Sequence, residues 1–97
     1  PEMEQEISQL CKKPIVISFT PHLLPMSRGI LSTIYAKLSK NKTEGEVEEL
    51  YQEFYKDEPF VRLCEPGTFP ATQFVRGSNF CDLGFKTDNR TGRIIIL

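Results

Sequence analysis

The sequence predicts an α+β fold, two helices packed on a mostly antiparallel sheet in one domain. Three observations point there. Two stretches repeat apolar residues at helical spacing, several short β-branched or aromatic runs are bounded by proline and glycine, and the last two runs flank a polar turn. At 97 residues the chain is long enough for one domain, since domains centre at about 100–150 residues. Helices covering one face of such a sheet would give a piece of this size its core.

In "PEMEQEISQLCKK", Met3, Ile7, Leu10 and Cys11 fall on one helical face, with Glu2, Glu4 and Glu6 early and Lys12 and Lys13 late, as the helix dipole favours. Pro1 suits a first helical turn and Pro14 ends the pattern. "IVISF" reads as a buried strand leading into "FTPHLLPMSRGI", Phe19 to Ile30. After Gly29, "ILSTIYAKL" fits a helix by spacing but a strand by its β-branched and aromatic residues, and strand is preferred. Thr43 and Glu46 form a capping-box pattern ahead of Val47, Leu50, Tyr51, Phe54 and Tyr55, which makes the second helix. Its acidic residues Glu44, Glu46, Glu48, Glu49 and Glu53 read as a solvated face. "PFVRL" is a strand and "CEPGTFPAT" a loop, while "NFCDLGFK" and "GRIIIL" pair across "TDNRTG" as an antiparallel hairpin. The expected order is αββαβββ. Both ends look cut, because Pro1 and Glu2 open directly on a helix and "GRIIIL" stops within a strand.

Composition excludes several function classes. Twelve Lys and Arg balance thirteen Asp and Glu, with no basic stripe to neutralise a row of phosphates, so nucleic acid is not an expected partner. Apolar runs of about five residues fall far short of the roughly 20 that span a bilayer, and no signal-peptide pattern opens the chain, so membrane association is not expected and the chain reads as cytoplasmic. Cys11, Cys64 and Cys81 are an odd number without CxxC spacing, and His22 is the single histidine. Reduced thiols and no metal site are the expectation. None of the three cysteines sits in a glycine-flanked helix start. Cys11 reads as helix packing, and Cys64 and Cys81 as buried small apolar residues. G-x-G-x-x-G and phosphate-loop motifs are missing.

Two turns remain as candidate sites. His22 is held between Pro21 and Pro25 with Arg28 and Gly29 following; prolines fix φ, so the turn holds its side chains at little further entropic cost. That bracing serves either a working imidazole or a solvated corner between strands. The second turn, "RGSN", joins Arg76 and Gly77 to Ser78 and Asn79, which equally describes an ordinary polar loop.

Taken together, "PEMEQE", "FTPHLLPMSRGILSTIYAKL", "YKDEPFVRL" and "VRGSNFCDLGFKTDNRTGRIII" resemble, in order and spacing, the C-terminal domain of the N-acetyl-γ-glutamyl-phosphate reductases. The likeness covers nearly all of the chain, and "HLLPMSRGI" and "VRGSNFCD" are its most specific parts. It implies residues 1–97 are part of a catalytic and dimerisation domain like that of glyceraldehyde-3-phosphate dehydrogenase, with the Rossmann NADP-binding domain outside this chain. It also implies a homo-oligomeric parent enzyme of arginine biosynthesis. In that enzyme a cysteine thiolate attacks the acyl phosphate of N-acetylglutamyl phosphate, phosphate leaves, and NADPH reduces the thioester to N-acetylglutamate semialdehyde.

The nucleophile of that scheme belongs to a motif upstream of Pro1, and Cys81 does not replace it. The 97 residues by themselves are therefore expected to be inactive and to bind no NADP. By the same resemblance His22 is the catalytic proton-exchanging histidine, work suited to a group titrating near neutrality. Arg28 binds a substrate anion, carboxylate or phosphate, and Arg76, Ser78 and Asn79 form a possible site or interface loop. Two alternatives stay open at this level: a binding or dimerisation module that keeps the scaffold without chemistry, and a related aminoadipyl-phosphate reductase of lysine synthesis.

Overall fold

Residues 2–97 are described by a computed structural model of the chain, so Pro1, the predicted first helical position, lies outside them. Among the described residues the elements run α1 (Glu2–Cys11), β1 (Ile34–Lys37), α2 (Glu44–Tyr55), β2 (Val61–Leu63), α3 (Thr72–Val75), β3 (Cys81–Leu83), β4 (Phe85–Asp88) and β5 (Arg93–Ile96). The class is α+β as the pattern predicts. The order is αβαβαβββ instead of αββαβββ.

Local chemistry starts α2. The Thr43 hydroxyl accepts from the Glu46 amide at 3.2 Å and the Glu46 carboxylate accepts from the Thr43 amide at 3.3 Å, so two otherwise orphaned donors are satisfied reciprocally. Val47, one turn in, is 3% exposed and meets Phe85 and Ile94 in the buried cluster. Tyr51 follows at helical spacing and lays its ring 4.5 Å from that of Phe85. Glu44 departs from the expected solvated face: it is half-buried, and one carboxylate oxygen accepts from both the Thr87 amide (2.9 Å) and the Thr87 hydroxyl (3.0 Å). That contact fastens the first turn of α2 to β4.

The predicted hairpin forms between β4 and β5. Asp88 closes the turn, its carboxylate accepting from the Arg90 amide at 3.0 Å and its carbonyl from the Gly92 amide at 2.9 Å, the local bonding that makes Asp a turn residue. β5 lies between β4 and β1, antiparallel to both, with Phe85 and Ile34 each opposite Ile96. β3, by contrast, pairs parallel with β2. The connection is the 17 residues from 64 to 80 and includes α3, the length of crossover a parallel pair requires. Gly84 separates β3 from β4 and joins the two sheets, exchanging 2.9 and 3.0 Å backbone bonds with Leu97. A Cβ on Gly84 would lie 2.9 Å from Pro70 Cδ, so only glycine lets loop and strand approach this closely.

Residues 12–33 depart most from the sequence reading. "IVISF" forms no strand, and β1 begins only at Ile34. The Ile15 amide donates to Ser8 Oγ and the Ile17 amide to Glu4 Oε1, each at 2.9 Å, so side chains of α1 take the bonds a neighbouring strand would have made. Alternation survives: Ile15 and Ile17 are half-buried while Val16 is 90% exposed. The apolar face of α1 stays open, with Met3, Ile7 and Leu10 exposed and no residue of the helix buried, so only α2 packs into the core. Cys11 and Cys81 are exposed, not packed as expected, and Cys64 is half-buried. Burial, with the charge of Asp82 adding to it, pushes the Cys64 thiol above its ordinary pKa.

Candidate functional site

An open cleft of about 820 Å³ lies between the Arg28–Leu31 segment, α3 with the turn that follows it, and the edge of β3. Gly29 sets its geometry. Its φ of +97° is reached readily only without a side chain, and a Cβ there would stand 3.5 Å from Thr72 Cβ, so this turn rests directly on the first residue of α3. α3 is a single turn, about 6 Å long at 1.5 Å per residue, and Arg76 follows at its end, its amide bonded to the Thr72 carbonyl at 3.0 Å. Arg28 and Arg76 thus flank one helical turn, and both line the cleft.

The electrostatics are asymmetric. Of the lining residues only Arg28, Arg76 and Asp82 carry charge. Asp82 is engaged from its other side, where Arg62 donates Nε to Oδ1 at 2.7 Å and Nη2 to Oδ2 at 3.0 Å, two parallel bonds across the β2–β3 pair. The same guanidinium lies 4.2 Å from the centroid of the Phe80 ring, and Asp82 raises its pKa further. Neither Arg28 nor Arg76 has an ion pair with any described residue. The cleft therefore offers two uncommitted cations over walls of Ile30, Leu31, Ile34, Pro70 and Val75.

The predicted site residues are only partly brought together. Arg28, Arg76 and Ser78 meet at the cleft, and Ser78 is tied into the turn by its hydroxyl, which donates to the Val75 carbonyl at 2.6 Å. Asn79, next in sequence, does not line it. His22 does not either. It is exposed, away from any strand end, with Nδ1 3.0 Å from the Thr20 carbonyl. A carbonyl can only accept, so Nδ1 is the donor in this contact and Nε2 is left open. Sequence reasoning missed Cys81 and Asp82 as cleft residues. Their signal was the "NFCDL" run read as a plain hairpin strand, when its pairing to β2 is what sets it at the cleft. Among the described residues no cluster of His, Cys, Asp or Glu could hold a metal ion, and no helix is long and apolar enough to cross a membrane.

Comparison with known proteins decides the family. The family described as "Semialdehyde dehydrogenase, dimerisation domain" matches residues 1–97. The chain belongs to that family. It is 60% identical over 97 residues to the N-acetyl-gamma-glutamyl-phosphate reductase of Desulfotalea psychrophila, 58% over 97 to that of Geobacter metallireducens and 53% over 96 to that of Acetivibrio thermocellus. The first two matches cover 100% of this chain and the third 99%. In each case the chain spans 28% of the relative's length. The dimerisation domain here thus carries the cleft and both arginines.

Proposed function

We propose that these residues are the dimerisation-domain part of a homo-oligomeric N-acetyl-γ-glutamyl-phosphate reductase. The parent enzyme would act in the cytoplasm, in arginine biosynthesis, reducing N-acetylglutamyl phosphate to N-acetylglutamate semialdehyde with NADPH. The observation that carries this reading is identity of 53–60% along essentially the whole chain to relatives bearing that name. Within this chain, Arg28 supplies an uncommitted guanidinium on a mostly apolar cleft, suited to a substrate anion. His22 stands outside that cleft, with Nδ1 bonded to a carbonyl and Nε2 open; the proton exchange proposed for it, at the reacting oxygen and sulfur, is a step of the full-length enzyme. These residues do not build a dinucleotide cradle: Gly29, Gly67, Gly77 and Gly92, the glycines with positive φ, lie in separate turns, none in a glycine-rich loop from strand to helix. No hydride-transfer step is therefore assigned to them.

The test is made in the full-length parent. His22→Ala and His22→Asn should each lower turnover by about a hundredfold or more, the usual scale for an acid/base group, with the fold intact by circular dichroism. Near-normal turnover from pH 6 to 9 would make the imidazole a structural corner and remove it from the chemistry.

A further inference from the structure

We infer that Arg62, which lies outside the cleft, is a positioning residue for it: one guanidinium fastens α3, one wall of the cleft, to β3, another. The inference rests on the reductase reading for the substrate that the cleft receives, and on the contacts of Arg62 for the fastening.

α3 cannot hold its own place. It is a single turn of four residues, none of them buried, and its N-cap Ala71 offers no side-chain bond. So short a helix is not stable through its own backbone bonds, and its last carbonyls find no partner within it. Two of them are answered by side chains. The Ser78 hydroxyl donates to the Val75 carbonyl at 2.6 Å, and Arg62 Nη2 donates to the Phe74 carbonyl at 3.4 Å. Ser78 belongs to the turn that α3 itself carries. Of the two, it is therefore Arg62 that ties the end of α3 to the rest of the molecule.

The other contacts of the same guanidinium are with β3 and the residue before it. Nε and Nη2 donate to the two carboxylate oxygens of Asp82 at 2.7 and 3.0 Å, and Cζ lies 4.2 Å from the centroid of the Phe80 ring. Asp82 and Phe80 line the cleft, whereas Arg62 and Phe74 do not. Arg62 stands opposite Asp82 in the β2–β3 register, and the Phe80 ring lies 5.6 Å from that of Phe60, just ahead of β2. The guanidinium is thus anchored on a paired strand and reaches a helical turn that has few anchors of its own. Nη2 carries two hydrogens, so it serves Asp82 and Phe74 together. A lysine ammonium would keep a charge near Asp82 but has no planar fork with which to make all these contacts at once.

Arg62→Lys and Arg62→Gln test this in the full-length parent enzyme. Arg62 is exposed, and circular dichroism checks that each variant is folded. Amide hydrogen exchange read by mass spectrometry reports on α3 directly. In both variants exchange over residues 72–78 should quicken about tenfold or more, because local opening there becomes easier, while α2 and β5 keep their rates. KM for N-acetylglutamyl phosphate should rise about tenfold with kcat within about twofold. A pair that only braces β2 against β3 would lower the urea midpoint and leave both readouts alone. Unchanged exchange over residues 72–78 therefore overturns the proposal, whatever KM does. Faster exchange with an unchanged KM also overturns it. So does a lysine variant that matches the unsubstituted enzyme while the glutamine variant does not, since charge alone would then be at work. If the unsubstituted parent fails to reduce N-acetylglutamyl phosphate, the reductase reading falls, and the exchange pattern alone decides whether Arg62 holds α3.

Discussion

"RIIIL" and "IVISF" are nearly equivalent on paper, and the chain treats them as opposites. β5 is bonded on both edges, to β4 and to β1, and its Ile94 is 3% exposed against Val47 and Phe85. Residues 15–19 have similar β-branched and aromatic content, yet their strand-like backbone bonds go to the side chains of Ser8 and Glu4 on α1, and Val16 and Phe19 stand in solvent. The difference is one of partners. A strand is stabilised by cross-strand pairs and burial, not by an intrinsic backbone preference. β5 acquires neighbours through an adjacent turn and a capped helix, and no such device reaches residues 15–19. A three-residue buried core therefore carries one half of the molecule while the other half holds exposed apolar side chains.

The strongest way to break this contrast is at the core. Phe85→Ala removes the ring that Tyr51 packs on and opens a cavity beside Val47 and Ile94; a loss of about 3–5 kcal/mol is expected, read as a collapse of the urea midpoint. A loss below about 1 kcal/mol would mean the stability lies elsewhere. The next largest effect is expected at the junction of the sheets. Gly84→Ala forces its new Cβ against Pro70 and should cost about 1–3 kcal/mol. A neutral result would show that the loop simply gives way.

A pH series sharpens the contrast further. The amide of Thr87 holds the Glu44 carboxyl below its ordinary value of 4.5, with burial opposing and the Thr87 hydroxyl and the Lys86 charge assisting. Because the folded-state pKa is depressed, this contact stabilises the fold at pH above about 4.5, and the stability is lost as pH falls through the lower folded value. Glu44→Gln should therefore be less stable than the parent sequence at pH 7, with the gap closing below pH 4.5 in chemical denaturation at each pH. A constant gap would count against the bond. The smallest effect is expected in the open half: Phe19→Ser should change stability by no more than about 0.5 kcal/mol. A loss comparable to that of Phe85→Ala would show that residues 15–19 contribute to the core after all.

What could be read in advance divides along the same line. α2 and the β4–β5 hairpin were legible because their signals are local: a threonine three residues before a glutamate, and Asp88 to Gly92 between two apolar runs. "IVISF" was misread because its composition says nothing about a partner. The parallel pairing of β3 with β2 could not be seen, since 17 residues and α3 lie between them. The site follows suit. Arg28, Arg76 and Ser78 could each be picked out as residues, but their meeting depends on Gly29 resting against Thr72, a contact no spacing rule contains. His22 is singled out in the sequence by its prolines, and the structure sets it apart from the cleft.

The pairing of β1 with β5 also fixes when the sheet can form. Ile34 and Ile96 stand opposite one another, so the first strand must wait for a partner far along the sequence before it has an edge to join. Such sequence-distant contacts form late, because loop closure must come before they reward the chain. During synthesis α1 and α2 can form from local bonds as they emerge, but β1 and the apolar residues before it remain unpaired until "RIIIL" has left the ribosome. In that interval the growing chain presents apolar surface and an open strand to its surroundings, the form in which nascent proteins are most prone to aggregate.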